Sequence, residues 1–325
     1  MTPPPLEIRE LHVWFDLPGG GSLHAVQGVS LTVGAGERFG LVGESGCGKT
    51  TTMNGVMGLL PPSAAIAGEV LLDGVNILER GEESVRAHRW RDIAMVFQGA
   101  MNAFNPVKPI GDQIVEPMQL HGVAEGKEAR ARAGELLEHV GISASRASRY
   151  PHEFSGGMRQ RAAIAMSLAC GPKVLLADEP TTALDVMTQA QILELLVSLT
   201  DELGLALVLV THDLPVVAHV CSRAAVMYAG EIVEQGPLET LFHHPRHPYT
   251  RLLFAATPDL YDREAVASIP GTPPRLDREI EGCPFAPRCD SAFGPCSSTR
   301  PRLLALTQGH EARCHLNDSA AQAAS

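Results

Sequence analysis

The first part of the chain alternates hydrophobic and polar residues, a pattern typical of half-buried β-strands. Residues 6–15 alternate with one slip near Glu10, and residues 29–33 alternate again. Residues 38–42 form an apolar run that predicts a buried strand, and residues 50–60 predict a helix that ends before two prolines. The pattern predicts an antiparallel β start that leads into a strand-to-helix turn.

Strand and helix patterns alternate through the rest of the first 240 residues, apart from one long interruption. The predicted strands are residues 69–72, 93–97, 174–177, 206–211, 224–228 and 231–234, and the predicted helices are residues 82–91, 127–140, 156–169 and the one with an apolar stripe of Ile192, Leu195, Leu196, Leu199 and Leu203. Strand patterns are missing between residues 99 and 170, which predicts a mainly helical insertion. The alternation indicates an α/β fold with a largely parallel sheet covered by helices.

The composition changes after residue 241, where Pro, His, Arg and Cys become frequent. We therefore predict an α/β domain over residues 1–240, with a helical subdomain at about residues 99–165. A small, loop-rich, cysteine-containing C-terminal module is predicted over residues 241–325.

Composition and charge narrow the function classes. The 325 residues are 45% hydrophobic, enough for a sizeable core, and carry a formal net charge of −11. With a sequence pI of about 5.6 the chain has no overall field that attracts nucleic acid, so we expect no nucleic-acid partner. No run approaches the ~20 apolar residues that cross a bilayer, and the start lacks a secretory pattern, so we expect a cytoplasmic location.

The octapeptide Gly43–Thr50 matches G-x-x-x-x-G-K-[ST] between the predicted strand and helix. Its glycines are Gly43, Gly46 and Gly48. Without side chains, these positions let backbone N–H groups approach a triphosphate. Lys49 would neutralise phosphate oxygens and Thr50 would give its hydroxyl to Mg²⁺, at a helix N-terminus that favours anions. An ordinary glycine-rich turn is the alternative, and the context favours a phosphate-binding P-loop.

Two adjacent carboxylates, Asp178 and Glu179, follow the apolar run 174–177. Ligands of parallel sheets bind at the carboxyl ends of strands, so these side chains would lie beside the phosphates. Asp178 is suited to Mg²⁺, and Glu179 is suited to orienting or deprotonating the attacking water. A solvated acidic turn before Pro180 is the alternative, and the upstream P-loop favours the functional interpretation.

Ser155, Gly156 and Gly157 precede a predicted helix and form a second helix start suited to an anion. On these residues alone, a serine N-cap with glycines for close packing is the simpler interpretation. Two anion-binding helix starts in one chain need a common explanation.

The chain resembles the ATP-binding cassette ATPases over roughly residues 6–236, because six motifs share that family's order and approximate spacing. They are Gly43–Thr50, Gln98 after a strand, Ser155–Gly157, Asp178–Glu179, Ala183–Asp185 and Thr211–Asp213. In that family two nucleotide-binding domains face each other head to tail, and each ATP lies between one P-loop and the partner's serine-glycine motif. The resemblance implies a P-loop NTPase fold with an antiparallel β subdomain and a helical subdomain.

The resemblance also implies roles for single residues. Gln98 would sense Mg²⁺ and the attacking water, His212 would contact the γ-phosphate, Asp185 would communicate across the dimer, and Phe15 would stack on adenine, with core packing as its alternative. The predicted catalytic residues are Lys49, Gln98, Glu179 and His212. The predicted nucleotide contacts are Phe15, Gly43, Ser45, Gly46, Cys47, Gly48, Lys49, Thr50, Thr51, Ser155, Gly156, Gly157 and Asp185. The predicted Mg²⁺ ligands are Thr50, Gln98 and Asp178.

Further segments narrow the resemblance to the ATP-binding subunits of oligopeptide and dipeptide permeases. They are Met158–Arg161 and residues 247–250, 269–274 and 282–289. This resemblance implies an ATP-hydrolysing importer subunit for peptides or related small solutes, peripheral on the cytoplasmic face of the cell membrane. The implied partners are a second ATPase subunit, identical or paralogous, two transmembrane permease subunits and, indirectly, an extracytoplasmic solute-binding protein. The alternative is a soluble cassette ATPase acting on DNA or ribosomes, which the acidic charge disfavours.

Four of the seven cysteines follow one another with the spacing C-x5-C-x6-C-x17-C. They are Cys283, Cys289, Cys296 and Cys314. The spacing predicts a four-thiolate site without choosing a metal, because it lacks the paired C-x2-C knuckles usual for structural Zn²⁺. Zn²⁺ and free buried thiols are alternatives, and the permease resemblance implies a [4Fe-4S] cluster with a structural role.

Overall fold

The computed structural model describes residues 2–100, 103–256, 269–278, 280–307 and 309–318. The strands are β1 (Leu6–Asp16), β2 (Ser22–Val33), β3 (Arg38–Val42), β4 (Ala64–Leu72), β5 (Val75–Asn76), β6 (Ile93–Val96), β7 (Val174–Asp178), β8 (Ala206–Val210), β9 (Arg223–Tyr228), β10 (Glu231–Pro237), β11 (Leu304–Thr307) and β12 (His310–Ala312). The helices are α1 (Lys49–Val56), α2 (Glu82–His88), α3 (Ile110–Leu120), α4 (Gly126–His139), α5 (Gly156–Ser167), α6 (Val186–Leu203), α7 (Leu214–Val220), α8 (Leu238–His243) and α9 (Pro248–Ala255). None of the described helices is both long and apolar enough to cross a membrane.

The chain forms two compact units that interleave along the sequence. The first unit comprises Met1–Leu6, Val33–Arg38 and Leu71–Leu209, and the second comprises Glu7–Thr32, Phe39–Val70 and Val210–Ser325. The predicted domains at residues 1–240 and 241–325 follow the composition instead, and they remain a prediction.

In the first unit β6 runs parallel to β7, and β8 lies on the other side of β7. All five residues of β7 are buried, as expected for a strand covered on both faces. Helices α3, α4 and α5 contact one another and form the predicted helical insertion. The α/β class and this insertion are therefore confirmed.

In the second unit β2, β1 and β4 lie side by side, and β3 runs parallel to β9. The predicted slip in β1 is a local backbone change, because Glu10 has a φ of 46°. Gly68 passes so close that a Cβ at this position would lie 2.2 Å from the Glu10 carbonyl oxygen. The antiparallel β start is confirmed, and β2 begins earlier than its alternation predicted.

The residues after β9 continue the sheet of the second unit. Strand β10 pairs antiparallel with β9, and β12 pairs with β10, with Glu234 opposite Ala312. Strand β11 closes a hairpin with β12. The region predicted to be loop-rich thus also contains helix α9 and a hairpin that extends this sheet.

Candidate active site

The glycine-rich loop joins β3 to α1 within the second unit, and steric contacts explain its glycines. Gly43 has a φ of 150°, and a Cβ there would lie 2.2 Å from the Met227 carbonyl oxygen. Gly48 has a φ of 107°, and a Cβ there would lie 2.7 Å from the Ala25 carbonyl oxygen. Gly46 has a φ of 79° with open space where its Cβ would be. The loop therefore has a backbone shape that side chains at these positions would disturb.

Lys49 points into this loop rather than into solvent. Its side chain is buried, and Nζ donates to the carbonyl oxygens of Gly43 at 2.6 Å and Glu44 at 3.0 Å. Cys47 is also buried, with Sγ 3.7 Å from Nζ, and burial raises the pKa of its thiol. The loop thus encloses a cation at the N-terminus of α1, where an anion is stabilised.

The next residues of α1 differ in exposure. Thr50 is exposed and Thr51 is half-buried, whereas Thr52 is buried and its hydroxyl donates to the Gly48 carbonyl oxygen at 2.9 Å. Ser45 is exposed at the loop itself. The Thr50 hydroxyl is an oxygen donor of the kind that Mg²⁺ prefers, and so is the carboxylate of Asp178 at the buried end of β7.

In the first unit the structure brings together two predicted catalytic residues, Gln98 and Glu179. Gln98 Nε2 donates to Glu179 Oε2 at 2.9 Å, and the Thr182 hydroxyl donates to the same oxygen at 3.0 Å. Glu179 has a φ of 44°, in a region that non-glycine residues seldom adopt. Such outliers concentrate at functional sites, and the two bonds hold this carboxylate at the end of β7.

Ser155 and Asp185 begin neighbouring helices, α5 and α6. The Ser155 hydroxyl accepts a bond from the Met158 N–H at 3.3 Å, and the Asp185 carboxylate accepts bonds from the Thr188 N–H at 3.0 Å and hydroxyl at 2.7 Å. The Thr188 bonds lower the pKa of Asp185. A Cβ at Gly157 would lie 2.5 Å from Thr188 Cγ2. Thr188, which the sequence did not single out, therefore joins the two predicted motifs.

His212 is exposed immediately after β8. The preceding residue, Thr211, donates its N–H to the Leu41 carbonyl oxygen of β3 at 3.4 Å, two residues before the glycine-rich loop. The Thr211 hydroxyl accepts from the Asp213 N–H at 3.0 Å, and Asp213 caps α7. These bonds place His212 beside the strand that leads into the loop.

Comparison with known proteins decides the family. Residues 26–182 match the family described as ABC transporter, and residues 233–296 match the oligopeptide/dipeptide transporter C-terminal region. A probable peptide ABC transporter ATP-binding protein of Sinorhizobium fredii is 47% identical over 95% of this chain and 94% of its own length. The dipeptide transport ATP-binding protein DppD of Bacillus subtilis is 44% identical over 98% of this chain and 96% of its own length. The chain belongs to the peptide-type ABC transporter ATP-binding proteins.

Solved structures agree with this assignment. One solved structure is the dimer of an ATP-binding cassette in a post-hydrolysis state, bound to ADP and phosphate. It is 31% identical to this ABC ATPase with a TM-score of 0.63, and the match covers 72% of this chain and 98% of the solved chain. The CbiO1 protein of Clostridium perfringens, part of an ABC transporter complex, is 30% identical with a TM-score of 0.62. That match covers 74% of this chain and 92% of the CbiO1 chain. The recognition of an ABC-type ATPase with a P-loop NTPase fold is confirmed.

Phe15, the predicted adenine contact of this ABC ATPase, is half-buried in β1. Its neighbour Trp14 belongs to a stack of rings with His24 at 4.6 Å and His12 at 5.3 Å between centroids. The geometry thus gives Trp14 a packing role, and the adenine role of Phe15 stays a prediction.

The four C-terminal cysteines of this ABC ATPase line one small cavity together with His247 and Phe285. They are Cys283, Cys289, Cys296 and Cys314. Burial raises the pKa of Cys283 and Cys289 and raises that of Cys314 to about 11. Within the described part of the chain, no group of three or more His, Cys, Asp or Glu is arranged to hold a metal ion. The thiols share a cavity, and a cluster-binding module is not confirmed.

Sequence reasoning missed two side chains that hold the P-loop from outside. Arg288 and Tyr249 both bond to Glu44, the loop residue after Gly43. Both lie in segments that carried the permease resemblance, at residues 247–250 and 282–289, which was the available signal. No local pattern connects either segment to the loop.

Proposed function

We propose that this chain is the ATP-hydrolysing subunit of an importer for peptides or related small solutes. The assignment rests on one observation, the similarity of nearly the whole chain, C-terminal region included, to proteins named for peptide transport. The soluble alternative, an ATPase acting on DNA or ribosomes, is not favoured by these relatives. The partners would be a second ATPase subunit, two membrane permease subunits and, indirectly, a solute-binding protein, with this chain on the cytoplasmic face of the membrane.

In the proposed mechanism the P-loop of one subunit and the Ser155–Gly157 helix start of another enclose one ATP. Lys49 stabilises charge on the phosphate oxygens, because its ammonium lies at the N-terminus of α1. Thr50 and Asp178 would hold Mg²⁺, which neutralises phosphate charge when bound. Glu179 takes a proton from the attacking water, and Gln98 orients the carboxylate through its bond to Oε2. His212 contacts the terminal phosphate, and Asp185 carries the state of one site to the other.

The base assignment is tested by Glu179→Gln in the assembled transporter. We expect nucleotide binding to be kept and turnover to fall by about 10²-fold or more, the scale of a lost general base. Glu202→Gln is a matched control, since Glu202 lies exposed on α6 and bonds to Ser198 at 2.6 Å. Unchanged turnover in Glu179→Gln would show that another residue is the base.

The solute class is tested in vesicles that contain the chain and its natural membrane partners. We expect ATP-dependent uptake of labelled di- and oligopeptides, and none with Glu179→Gln. Full ATPase activity without peptide uptake would contradict the proposed solute and leave the ATPase assignment intact.

We also propose that the four thiols hold a [4Fe-4S] cluster. The proposal is supported by the type of donor, because four cysteines line one cavity and such clusters are bound by cysteine thiolates. When bound, the cluster would cross-link the C-terminal segments as a structural element. Anaerobic purification with iron and sulfide analysis tests this, with Cys296→Ser as the variant and Cys221→Ser as the control. A colourless protein without iron or sulfide rules the cluster out, and bound Zn²⁺ would identify the alternative ligand.

A further inference from the structure

Glu44 lies inside the P-loop, yet none of the proposed steps uses its side chain. Its carboxylate accepts two bonds from Arg288, with Nη1 2.7 Å from Oε2 and Nη2 2.9 Å from Oε1. Its backbone N–H donates to the Tyr249 hydroxyl at 2.9 Å. Its carbonyl oxygen accepts from Lys49 Nζ at 3.0 Å. All three polar groups of this one loop residue are therefore held.

The guanidinium of Arg288 is itself fixed by several partners. Its side chain is only 4% exposed, Nε donates to the Pro270 carbonyl oxygen at 2.7 Å, and Nη1 donates to the Tyr228 hydroxyl at 3.3 Å. The group also lies over the rings of Tyr228 and Phe285, at 5.7 and 5.9 Å. A planar fork held in this way presents two donors to a carboxylate in one orientation, which lysine cannot do. The bond to Glu44 raises the pKa of Arg288 further above its ordinary value.

Tyr249 is the second support, and it is completely buried. Its ring packs against Tyr228 at 4.6 Å and Phe285 at 5.3 Å between centroids. Burial raises the pKa of its phenol, so the hydroxyl stays neutral and accepts the N–H of Glu44. Arg288 and Tyr249 thus pack against the same two rings, those of Tyr228 and Phe285.

The positive charge of Arg288 also offsets the negative charge of Glu44. A carboxylate at position 44 lies in the loop that is proposed to cradle a triphosphate, and like charges at this range repel. The guanidinium neutralises that carboxylate by a two-pronged ion pair. Without it, the loop would carry an uncompensated negative charge beside the phosphates.

We propose that Arg288 and Tyr249 are positioning residues that hold the P-loop in its nucleotide-binding shape through Glu44. Nucleotide affinity of this subunit then depends on segments more than 200 positions away in the sequence, since Glu44 and Arg288 are 244 residues apart. The inference rests on the proposed role of the P-loop in ATP binding.

The test measures the Kd of ATP by calorimetry on the purified full-length chain. We expect Arg288→Met to raise Kd by about 10- to 10²-fold, because it leaves Glu44 unpaired. Arg288→Lys should fall between this variant and the wild type, since it keeps the charge and loses the fork. Tyr249→Phe should raise Kd by about 10-fold by leaving the Glu44 N–H without its acceptor.

The double variant Arg288→Met with Glu44→Gln separates positioning from general damage. Removing the stranded carboxylate should bring Kd back toward the wild-type value, which a merely unfolded C-terminal segment would not do. Arg251→Met is the control, because Arg251 pairs with Asp290 in the same region through one nitrogen, Nη2, which donates to both carboxylate oxygens, and Kd should stay within about 2-fold. Melting temperatures confirm that each variant folds.

Wild-type Kd values in both Arg288→Met and Tyr249→Phe would overturn the inference. Absence of any rescue by Glu44→Gln in a folded double variant would also overturn it. Lys49→Ala tests the proposed function separately. If this variant binds ATP with the wild-type Kd, the proposed P-loop role is wrong. If it loses ATP binding while the Arg288 variants keep the wild-type Kd, only the positioning role is contradicted.

Discussion

The two glycine-containing helix starts of this ABC ATPase differ in how their shape is maintained. In the P-loop, glycines adopt positive φ angles, and a side chain at Gly43 or Gly48 would collide with backbone oxygens. At the start of α5, Ser155 caps an ordinary helix, and a Cβ at Gly157 would collide with a side chain, that of Thr188. The first loop has a shape that glycine alone tolerates, and the second is a regular helix end.

This difference explains why the two motifs are not equally informative. A conformation restricted to glycine leaves its requirement in the local sequence, so the P-loop could be recognised from eight residues. A capped helix end occurs in many proteins, and its use for a phosphate depends on what faces it. The family resemblance, rather than the local residues, supplied that role for Ser155.

Among substitutions at the two helix starts, Gly43→Ala should have the largest effect, a weaker binding of ATP. The new Cβ would lie 2.2 Å from the backbone oxygen of Met227, which cannot move without shifting β9. A strain of about 3 kcal/mol corresponds to a Kd for ATP about 10²-fold weaker. Calorimetric titration of the full-length variant measures it, and a wild-type Kd would show that the loop tolerates a side chain here.

Gly157→Ala should leave ATP binding by the single chain unchanged and reduce turnover of the transporter by about 10-fold. The new Cβ would lie 2.5 Å from Thr188 Cγ2, and Asp185 holds the Thr188 hydroxyl in place. Adding Thr188→Ser removes the colliding methyl and keeps the hydroxyl, so turnover should partly recover. If the second change brings no recovery, the glycine serves contact with the nucleotide rather than packing.

Ser155 substitutions should have the smallest effect on stability and separate its two proposed roles. Ser155→Ala should lower the free energy of unfolding by about 1 kcal/mol, because the Met158 N–H loses its acceptor. Ser155→Asp should keep the cap, since Asp is an equally good N-cap, and add a charge that repels phosphate. Denaturant unfolding and ATPase assays on both variants measure this. Full turnover in Ser155→Asp would argue against a phosphate contact.

Most of the fold could be predicted because its helices and strands bury hydrophobic residues that recur at regular spacing. The predicted helices at α1, α2, α4 and α5 are present, although α1 ends early, where Gly58 takes a φ of 60°. Helix α3 was predicted only as part of a helical region, since Pro117 lies within it. Helix α7 has seven residues, with Pro215 as the second, and is too short for a helical period to show.

The motifs of the candidate site could be predicted from the sequence, whereas most of the side chains that hold those motifs in place could not. Adjacent elements of the first unit bring Gln98 to Glu179, two motifs that the sequence had named separately. The bond between Thr188 and Asp185 lies within one helix turn, so a capping pattern could have revealed it. The bonds from Arg288 and Tyr249 to Glu44 could not be foreseen, because no local rule relates residues so far apart.

The long span between Glu44 and Arg288 has a consequence during synthesis. A ribosome adds Glu44 244 residues before it adds Arg288, the arginine that holds it. Under the positioning proposal, a nascent chain would therefore hold ATP weakly, and full affinity would come only after Arg288 has been added. Tight nucleotide binding would then mark a polypeptide that already contains Arg288, so products truncated before that residue would compete poorly for cellular ATP.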